Sequence, residues 1–303
     1  MRHYRSGNPM MENATVEVLL ATYNGERFLA AQLDSLLAQT FGEFTILVSD
    51  DGSSDTTPAI LRAYASAHPG RFCILPPCAR LGARANFARL IDAASADYVF
   101  FCDQDDIWLP EKMAMSLERM VQLAATSPPG SPLLVHTDLA VVDSGLEVLG
   151  PSYFRYVGIN PARNSLGALL LGNVVTGCTI VANRALFETA RPVPSDASMF
   201  DHWLALVAAG LGRISCIDQP TILYRQHGSN LIGADRAGAA TFARRFSRIV
   251  LGISTLTVLV RYSRNAAILL ERYGDDLRPG DKARVRAMAR LWSRPRLWRL
   301  PSL

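Results

Sequence analysis

The sequence is poor in lysine and has no cysteine arrangement that could hold a small fold together. It contains only two lysines, Lys112 and Lys282, and no Gly-x-x-x-x-Gly-Lys segment, which excludes a P-loop. No Gly-x-Gly-x-x-Gly segment follows the first predicted strand, so the dinucleotide-binding fingerprint is absent as well. The five cysteines include no Cys-x-x-Cys pair, which argues against a zinc site and against a disulfide framework. We therefore expect a protein of a reducing cytoplasm.

Long apolar runs are also missing. The longest uncharged, apolar-leaning run covers the 12 residues 249–260, whereas a membrane-spanning helix needs about 20. Residues 1–15 are polar and lack an apolar core, so no signal peptide is visible. With 303 residues, of which 49% are hydrophobic, the chain can bury the core of one large domain, with or without a helical appendage.

The net charge of +4 is unevenly distributed. Residues 236–303 contain 15 Lys+Arg and 4 Asp+Glu, a net +11, whereas residues 1–235 contain 16 and 23, a net −7. We predict a main domain over 14–235 and a basic, helical C-terminal region over 236–303. Such a region favours a polyanionic neighbour, either an anionic membrane surface or nucleic acid, although a merely solvated helical tail is an alternative.

Apolar runs alternate with helical periodicity over the first 125 residues. The pattern predicts strands at 16–21, 44–49, 71–75 and 98–102, and helices at 26–39, 55–67, 85–94 and 110–123. This alternation is typical of a parallel sheet with helices on both faces. Further along, it predicts strands at 133–137, 178–181 and near 214 and 222, and a helix at 201–209.

Polar side chains directly follow three of the predicted strands. Open α/β sheets bind their ligands at the carboxyl ends of the strands, so we expect these side chains to share one cleft. Two or three adjacent carboxylates repel one another unless a cation joins them, and a divalent metal carrying a diphosphate would supply it. An aromatic ring and a carboxylate that accepts from a base N–H would complete a nucleotide site. The residues concerned are Thr22 and Tyr23, Asp50 and Asp51, and Asp103, Asp105 and Asp106.

Each of these features alone has an ordinary structural explanation. Asp105 or Asp106 could cap the helix that begins near residue 110. Asp50 and Asp51 precede Gly52 in a plausible turn, and Tyr23 could simply pack. Their joint placement at successive strand ends favours the functional interpretation.

Three segments together resemble family 2 glycosyltransferases of the GT-A fold. They are Ala-Thr-Tyr-Asn-Gly at 21–25, Ser-Asp-Asp-Gly-Ser-Ser-Asp at 49–55 and Asp-Gln-Asp-Asp-Ile-Trp at 103–108. Within this family the chain is similar to the bacterial rhamnosyltransferase-like branch, and the resemblance covers residues 14–235. It implies an α/β fold with a Rossmann-like, mostly parallel sheet and flanking helices.

The resemblance also implies roles for individual residues. Asp103 and Asp105 would form the Asp-x-Asp pair, with Asp105 as the direct ligand of Mg²⁺ or Mn²⁺ and His227 as a third ligand or a phosphate contact. Asp201 would be the catalytic base. Tyr23 and Asp51 would contact the base, Arg84 and Asn86 the phosphates, and Thr22, Asp50 and Asp103 other parts of the nucleotide-sugar.

Structural alternatives remain open for three of these residues. Asp201 could be only a helix N-cap, Arg84 a solvated loop charge, and His227 a histidine satisfied by its surroundings.

The resemblance finally implies a reaction. The chain would transfer a sugar, with inversion, from an NDP-sugar to a hydroxyl of a polysaccharide or lipid-linked glycan, and the donor would be dTDP-L-rhamnose. We expect a cytoplasmic protein at the inner membrane face, contacted through Arg244, Arg245, Arg248, Arg294, Arg296 and Arg299 with Trp292 and Trp298. We expect no nucleic acid partner and allow for a homodimer. The alternatives are a sugar nucleotidyltransferase and a non-catalytic nucleotide- or nucleic-acid-binding protein.

Overall fold

The structure, a computed structural model, describes residues 14–195, 199–227 and 253–292. Within these ranges a single nine-stranded sheet runs in the order β3-β2-β1-β4-β8-β6-β9-β5, and β7 pairs with β6. The strands are β1 Val16–Thr22, β2 Thr45–Asp50, β3 Phe72–Ile74, β4 Tyr98–Cys102, β5 Ile107–Trp108, β6 Leu133–Val142, β7 Val148–Gly150, β8 Val181–Asn183 and β9 Arg213–Arg225.

Helices cover both faces of this sheet. They are α1 Leu29–Leu37, α2 Thr57–Ala67, α3 Ala83–Ala93, α4 Lys112–Ala125, α5 Tyr153–Val157, α6 Leu166–Leu169, α7 Arg184–Ala190, α8 Phe200–Leu211, α9 Ile253–Tyr273 and α10 Pro279–Trp292.

The first four strands form the predicted parallel sheet. β1 pairs in parallel with β2 and β4, and β2 pairs in parallel with β3. Neighbouring residues of β4 point to opposite faces: Phe100 packs with α1, α2 and α4, and Phe101 packs with α3, α7 and α8. Because both faces of β1, β2 and β4 are covered, these three strands are largely apolar runs, which is why the sequence located them correctly. The edge strand β3 is more exposed.

The remaining strands are arranged differently from the prediction. β8 pairs antiparallel with both β4 and β6, and residues 177–179 form a 3₁₀ turn rather than the start of the predicted strand 178–181. The two short strands predicted near 214 and 222 are one strand, β9, whose register against β6 shifts beside Asp138. Asp138 interrupts the apolar pattern of β6, but it is buried and accepts hydrogen bonds from Ser152 Oγ and the Phe154 N–H. The sequence pattern therefore ended this strand too early.

The described part of the basic C-terminal region consists of α9 and α10. These two helices pack against each other, and α9 also packs against α8. Buried residues of this region belong to the same hydrophobic cluster as α3, α7 and α8: Ala266 and Leu269 on α9, Val285 and Met288 on α10, and Leu277 between the two helices. None of the helices described here is long and apolar enough to traverse a bilayer.

Two predictions concern residues outside the described ranges. The boundary between residues 235 and 236 lies in the segment 228–252, and the arginines proposed to contact a membrane lie there or beyond residue 292. The domain boundaries and the membrane contact therefore stay predictions.

Candidate active site

The acidic loop 103–106 connects β4 to β5 at the carboxyl end of the parallel strands. Helix α4 begins after this loop at Lys112, and its N-cap, Glu111, makes no side-chain capping hydrogen bond. Neither Asp105 nor Asp106 therefore caps this helix, so the capping alternative is wrong. The role of these two carboxylates therefore has to be inferred from the residues that they contact.

Asp105 pairs with His227 across the cleft. His227 Nε2 lies 2.9 Å from Asp105 Oδ2, and the imidazole packs on the Phe28 ring with centroids 4.8 Å apart. Arg225 fastens the end of β9 to the same loop, because its Nε donates to the Asp105 carbonyl at 2.9 Å. The structure thus brings together two of the three predicted metal ligands.

Asp103 belongs to a second, inner cluster. One donor atom each of Asp103, Asp106 and Cys178 lies within 4.8 Å of the other two. Asp106 is 1% exposed, and its Oδ1 accepts the Arg225 N–H at 3.1 Å, whereas Oδ2 accepts no hydrogen bond within the described part of the chain. No local sequence pattern points to Cys178, because its proximity to the acidic loop depends on the turn before β8.

The electrostatics of the inner cluster show an excess of negative charge. Burial, followed by repulsion from Asp105 and then Asp201, raises the pKa of Asp103 to about 7. Burial and repulsion from Asp105 and Asp103 also raise the pKa of Asp106 well above its usual value. Carboxylates placed together in this way favour either protonation or a bound cation.

Lys112 lies on the inner side of these carboxylates. It is fully buried, its Nζ makes no hydrogen bond to any described residue, and the ammonium lies 4.5 Å from the Trp108 ring centroid. Burial lowers the pKa of Lys112 to about 8, although attraction to Cys178, Cys102 and Asp106 opposes this shift. The sequence did not indicate a role for Lys112, and the one feature that sets this residue apart is that it is one of only two lysines.

The donor atoms at the carboxyl ends of the parallel strands are suitable ligands for a divalent cation. Asp103 and Asp105 offer oxygen ligands, which Mg²⁺ and Mn²⁺ prefer, and His227 adds a nitrogen already aimed at Asp105. Asp106 Oδ2 is a buried acceptor with no hydrogen-bond partner among the described residues, as expected of a carboxylate near an ion site. The residues present are therefore compatible with the predicted metal.

Asp50 and Asp51 organise the loops around the cleft. Asp50 Oδ1 accepts from Thr22 Oγ1 at 2.8 Å, and Oδ2 accepts from the Ser53 N–H at 2.9 Å. The turn alternative is therefore correct for Asp50, and Gly52 permits this turn with φ +76°. Because a carboxylate has about four acceptor positions, these bonds leave capacity for a ligand.

Asp51 is buried and fixes the segment before α3. Its two carboxylate oxygens accept the N–H groups of Leu81 at 2.6 Å and Gly82 at 2.8 Å. Since this segment leads directly to Arg84 and Asn86, Asp51 sets the position of the residues predicted to approach the phosphates.

Arg84 and Asn86 lie in the first turns of α3. Arg84 is half-buried and its guanidinium donates to the Pro194 carbonyl at 3.3 Å, so it is not a fully solvated loop charge. Asn86 is buried and donates from Nδ2 to the Ser49 carbonyl at 2.9 Å, and its Oδ1 accepts no hydrogen bond in the described ranges. Asn86 thereby ties the start of α3 to the end of β2.

Tyr23 is held in place by Gln104, a residue that sequence reasoning did not single out. Gln104 Oε1 accepts the Tyr23 N–H at 2.8 Å, and Nε2 donates to the Tyr23 carbonyl at 2.9 Å. A Cβ atom on Gly25 would overlap the Gln104 amide, so this contact requires glycine. The Arg80 guanidinium lies 4.2 Å from the centroid of the Tyr23 ring.

Asp201 lies in the first turn of α8, opposite the acidic loop. The N-cap of this helix is Met199, so the N-cap alternative for Asp201 is wrong. Asp201 Oδ1 accepts the His202 N–H at 2.6 Å. Burial raises the pKa of Asp201 to about 6, and hydrogen bonds from the His202 and Gly177 backbone and from Asn173 oppose the shift. Asp201 is therefore a carboxylate able to change protonation state near neutral pH.

Comparisons with known proteins identify the class of enzyme that this chain resembles. Residues 17–131 match the family model described as "Glycosyl transferase family 2". The chain is 29% identical over 237 residues, 74% of this chain and 77% of the relative, to the dTDP-rhamnosyl transferase RfbG of Shigella flexneri.

Two solved structures resemble the fold. TarS of S. aureus, in complex with UDP-GlcNAc, is 16% identical, with a TM-score of 0.54 over 90% of this chain and 79% of that chain. The mannosyltransferase PcManGT of Pyrobaculum calidifontis, in complex with GDP-Man and Mn²⁺, is 16% identical, with a TM-score of 0.51 over 95% and 83%. At this identity the likeness establishes the fold alone.

The fold is that of GT-A glycosyltransferases, and the family model together with the relatives named as glycosyltransferases supports a glycosyltransferase. The family match makes the assignment more specific: residues 17–131 match glycosyltransferase family 2, and the chain is similar over 237 residues to a bacterial dTDP-rhamnosyl transferase. The roles of the individual site residues stay predictions.

Proposed function

We propose that the protein transfers L-rhamnose from dTDP-L-rhamnose, with inversion and with Mg²⁺ or Mn²⁺, to a hydroxyl of a polysaccharide or lipid-linked glycan. The observation that carries the donor assignment is the similarity to a dTDP-rhamnosyl transferase over 237 residues. The same similarity favours glycosyl transfer over the nucleotidyltransferase and non-catalytic alternatives.

The donor would lie along the carboxyl ends of β1, β2 and β4. Tyr23 would stack on the base and Asp51 would accept from its N–H, while Arg84 and Asn86 would face the diphosphate. Thr22, Asp50 and Asp103 would hold the rest of the nucleotide-sugar. The dense hydrogen bonding of the loops supports this role, because a pre-organised site loses less entropy when the donor binds.

Asp105, Asp103 and His227 would hold the cation. When it is bound, the metal neutralises the charge that develops on the leaving diphosphate. Two like charges 4 Å apart repel by about 4 kcal/mol at an effective dielectric constant near 20, so the carboxylates alone would oppose donor binding. The short contact between Asp105 and His227 supports this ligand set.

Asp201 would act as the general base. The acceptor oxygen forms a bond to the anomeric carbon while the bond from that carbon to the diphosphate oxygen breaks, and the acceptor proton passes to the Asp201 carboxylate. The leaving group departs as dTDP, and configuration inverts because attack and departure occur on opposite faces. The pKa of Asp201, about 6, suits a base that works near neutral pH. General base catalysis of this kind raises the reaction rate roughly 10²–10⁴-fold.

The proposed setting is the cytoplasmic face of the membrane. A lipid-linked acceptor would be presented there, and the net +11 of residues 236–303 would favour an anionic surface. A homodimer is compatible with this setting, and no nucleic acid partner is proposed.

The test combines donor binding with transfer. Titration calorimetry with nucleoside diphosphates and NDP-sugars in the presence of Mn²⁺ should show the highest affinity for dTDP and dTDP-sugars. Release of dTDP from dTDP-L-rhamnose should then require lipid-linked glycans extracted from bacterial membranes. Asp105→Ala should lose donor binding, whereas Asp201→Asn should bind donor and lose transfer. Equal binding of UDP- and GDP-sugars would refute the donor assignment, and wild-type transfer by Asp201→Asn would refute the mechanism.

A further inference from the structure

The residue after the proposed base is a buried histidine with both ring nitrogens engaged. His202 is 2% exposed, and its Nε2 lies 2.8 Å from the Leu169 carbonyl oxygen, while its Nδ1 lies 3.1 Å from Asn265 Nδ2. A carbonyl can only accept, so Nε2 carries the proton, and the Asn265 amide donates to Nδ1. The Leu169 carbonyl thus sets the tautomer of His202, and Asn265, which is fully buried on α9, holds the orientation of the ring from its other side.

The same helix reaches Asp201 by a second route. Tyr262, one turn before Asn265, packs its ring against His202 with centroids 4.3 Å apart. Tyr262 also lies close enough to Asp201 that this carboxylate, after the larger effect of burial, contributes to raising the pKa of the Tyr262 phenol. Helix α9 therefore contacts the His202 ring through both Asn265 and Tyr262, next to the proposed base.

We propose that Asn265 is a positioning residue for glycosyl transfer, which holds His202 so that its backbone N–H orients the Asp201 carboxylate. This proposal rests on the role of Asp201 in the proposed function. It gives the C-terminal region a part in catalysis, which is separate from any contact with a membrane or a second subunit.

The chemistry of the interface favours positioning over simple adhesion. Buried apolar residues such as Ala266 and Leu269 already attach α9 to the core. An amide and an imidazole in the same interface have to be desolvated and gain less than apolar side chains of similar size, unless their directional bond is needed. That bond fixes the ring of His202, and the backbone N–H of the same residue donates to Asp201 Oδ1 at 2.6 Å. Small displacements of a catalytic group lower the rate steeply, so this arrangement should affect transfer more than binding.

The experiment compares Asn265→Leu with Leu269→Ala in the full chain. Leu269 is fully buried four residues further along the same face of α9, so its truncation loosens the helix without touching His202. Release of dTDP from dTDP-L-rhamnose, with extracted lipid-linked glycans as acceptor, gives kcat. Calorimetry with dTDP and Mn²⁺ gives donor affinity, thermal unfolding gives stability, and ¹⁵N NMR of the histidine ring reports the His202 tautomer.

We expect Asn265→Leu to lower kcat about tenfold or more while the Kd for dTDP stays within about twofold. The NMR signal of the Nε2–H tautomer should broaden or shift in this variant. Leu269→Ala should lower the melting temperature at least as much and keep both kcat and the tautomer. Equal kcat values for the two variants would overturn the positioning role, as would loss of kcat without a change at His202.

Asp201→Asn separates this proposal from the one on which it rests. Wild-type transfer by Asp201→Asn would refute the role of Asp201 as base and the positioning role with it. Loss of transfer in Asp201→Asn, combined with normal transfer in Asn265→Leu, would refute the positioning role alone.

Discussion

Nε2 of His227 lies 2.9 Å from Oδ2 of Asp105, although the two residues are 122 positions apart in the sequence. The contact joins the end of β9 to the loop after β4, and it places a nitrogen and a carboxylate at the mouth of the cleft. Asp103, Asp106 and Cys178 form a separate cluster on the inner side. The two groups can be distinguished by experiment.

The first prediction concerns which of these groups holds the metal. Asp105→Ala should weaken Mn²⁺ binding in the presence of dTDP about 100-fold or more, because it removes an anionic ligand and the partner of His227. His227→Gln should weaken binding about tenfold, whereas Cys178→Ser should leave it nearly unchanged. Electron paramagnetic resonance of free Mn²⁺ measures these affinities. A larger effect of Cys178→Ser than of Asp105→Ala would show that the metal binds at the inner cluster.

The second prediction is the pH dependence of transfer. The pKa of Asp201 is about 6 because the carboxylate is buried, and a base acts only when it is deprotonated. We expect kcat to rise with pH, tenfold per unit below about pH 6, and to level off above it. A pH series of dTDP release at saturating donor tests this. A profile that is flat between about pH 5 and pH 8 would contradict the assignment.

The third prediction concerns stability. Burial and neighbouring carboxylates raise the pKa of Asp103 to about 7, from about 3.9 in an unfolded chain. Between these values the folded state binds more protons than the unfolded state, so stability falls as pH rises through this window. Asp103→Asn removes this ionisation and should raise the melting temperature of the metal-free protein at about pH 8 more than at about pH 4. Thermal unfolding at both pH values measures the difference.

Asp97→Asn is the matched control for that measurement. Burial acts to raise the pKa of Asp97, but hydrogen bonds from Thr15 and Arg184 lower it on balance. Its stabilising contribution is therefore present above the unfolded pKa and lost on acidification, so the substitution should destabilise the protein near neutral pH. Stabilisation by both substitutions at about pH 8 would show that the effect of Asp103→Asn is unrelated to the inner cluster.

The fourth prediction concerns the contact between Gly25 and Gln104. A side chain on Gly25 would collide with the Gln104 amide, which makes two hydrogen bonds to the Tyr23 backbone. Gly25→Ala should therefore weaken dTDP binding by displacing Tyr23, and Gln104→Ala should weaken it by about 1–3 kcal/mol through the lost bonds. In the Gln104→Ala background the collision is absent, so Gly25→Ala should have little further effect. Strictly additive effects in this double-mutant cycle would show that the two residues act independently.

The local pattern predicted those parts of the fold that consist of continuous buried strands. The bounds of β4, Tyr98–Cys102, agree with the prediction because an apolar run there meets acids directly. Helix α1 begins at Leu29 rather than at residue 26, because Asn24 and Glu26 are engaged by the loop after β2: Asn24 Oδ1 accepts from the Ser54 N–H, and Glu26 Oε2 accepts from Thr56. Local periodicity cannot reveal such a contact between loops.

The candidate site was predicted to a similar extent. Resemblance identified Asp105, His227 and Asp201; the structure pairs His227 with Asp105 and brings Asp201 close enough to Asp103 to help raise its pKa. It did not identify Gln104, Lys112 or Asn265, because a glutamine inside a motif, a buried lysine and a helical asparagine have no local signature of their partners.

The sequence by itself determined the two faces of the sheet and the acidic ends of its strands, since alternation and strand termination are local properties of neighbouring residues. Only the tertiary structure decided which acids meet which partners. Asp106 bonds to Arg225 across 119 residues, and His202 bonds to Asn265 across 63. Such pairings depend on how β9 and α9 pack on the finished core, and directional contacts between side chains distant in sequence leave no periodic pattern along the chain.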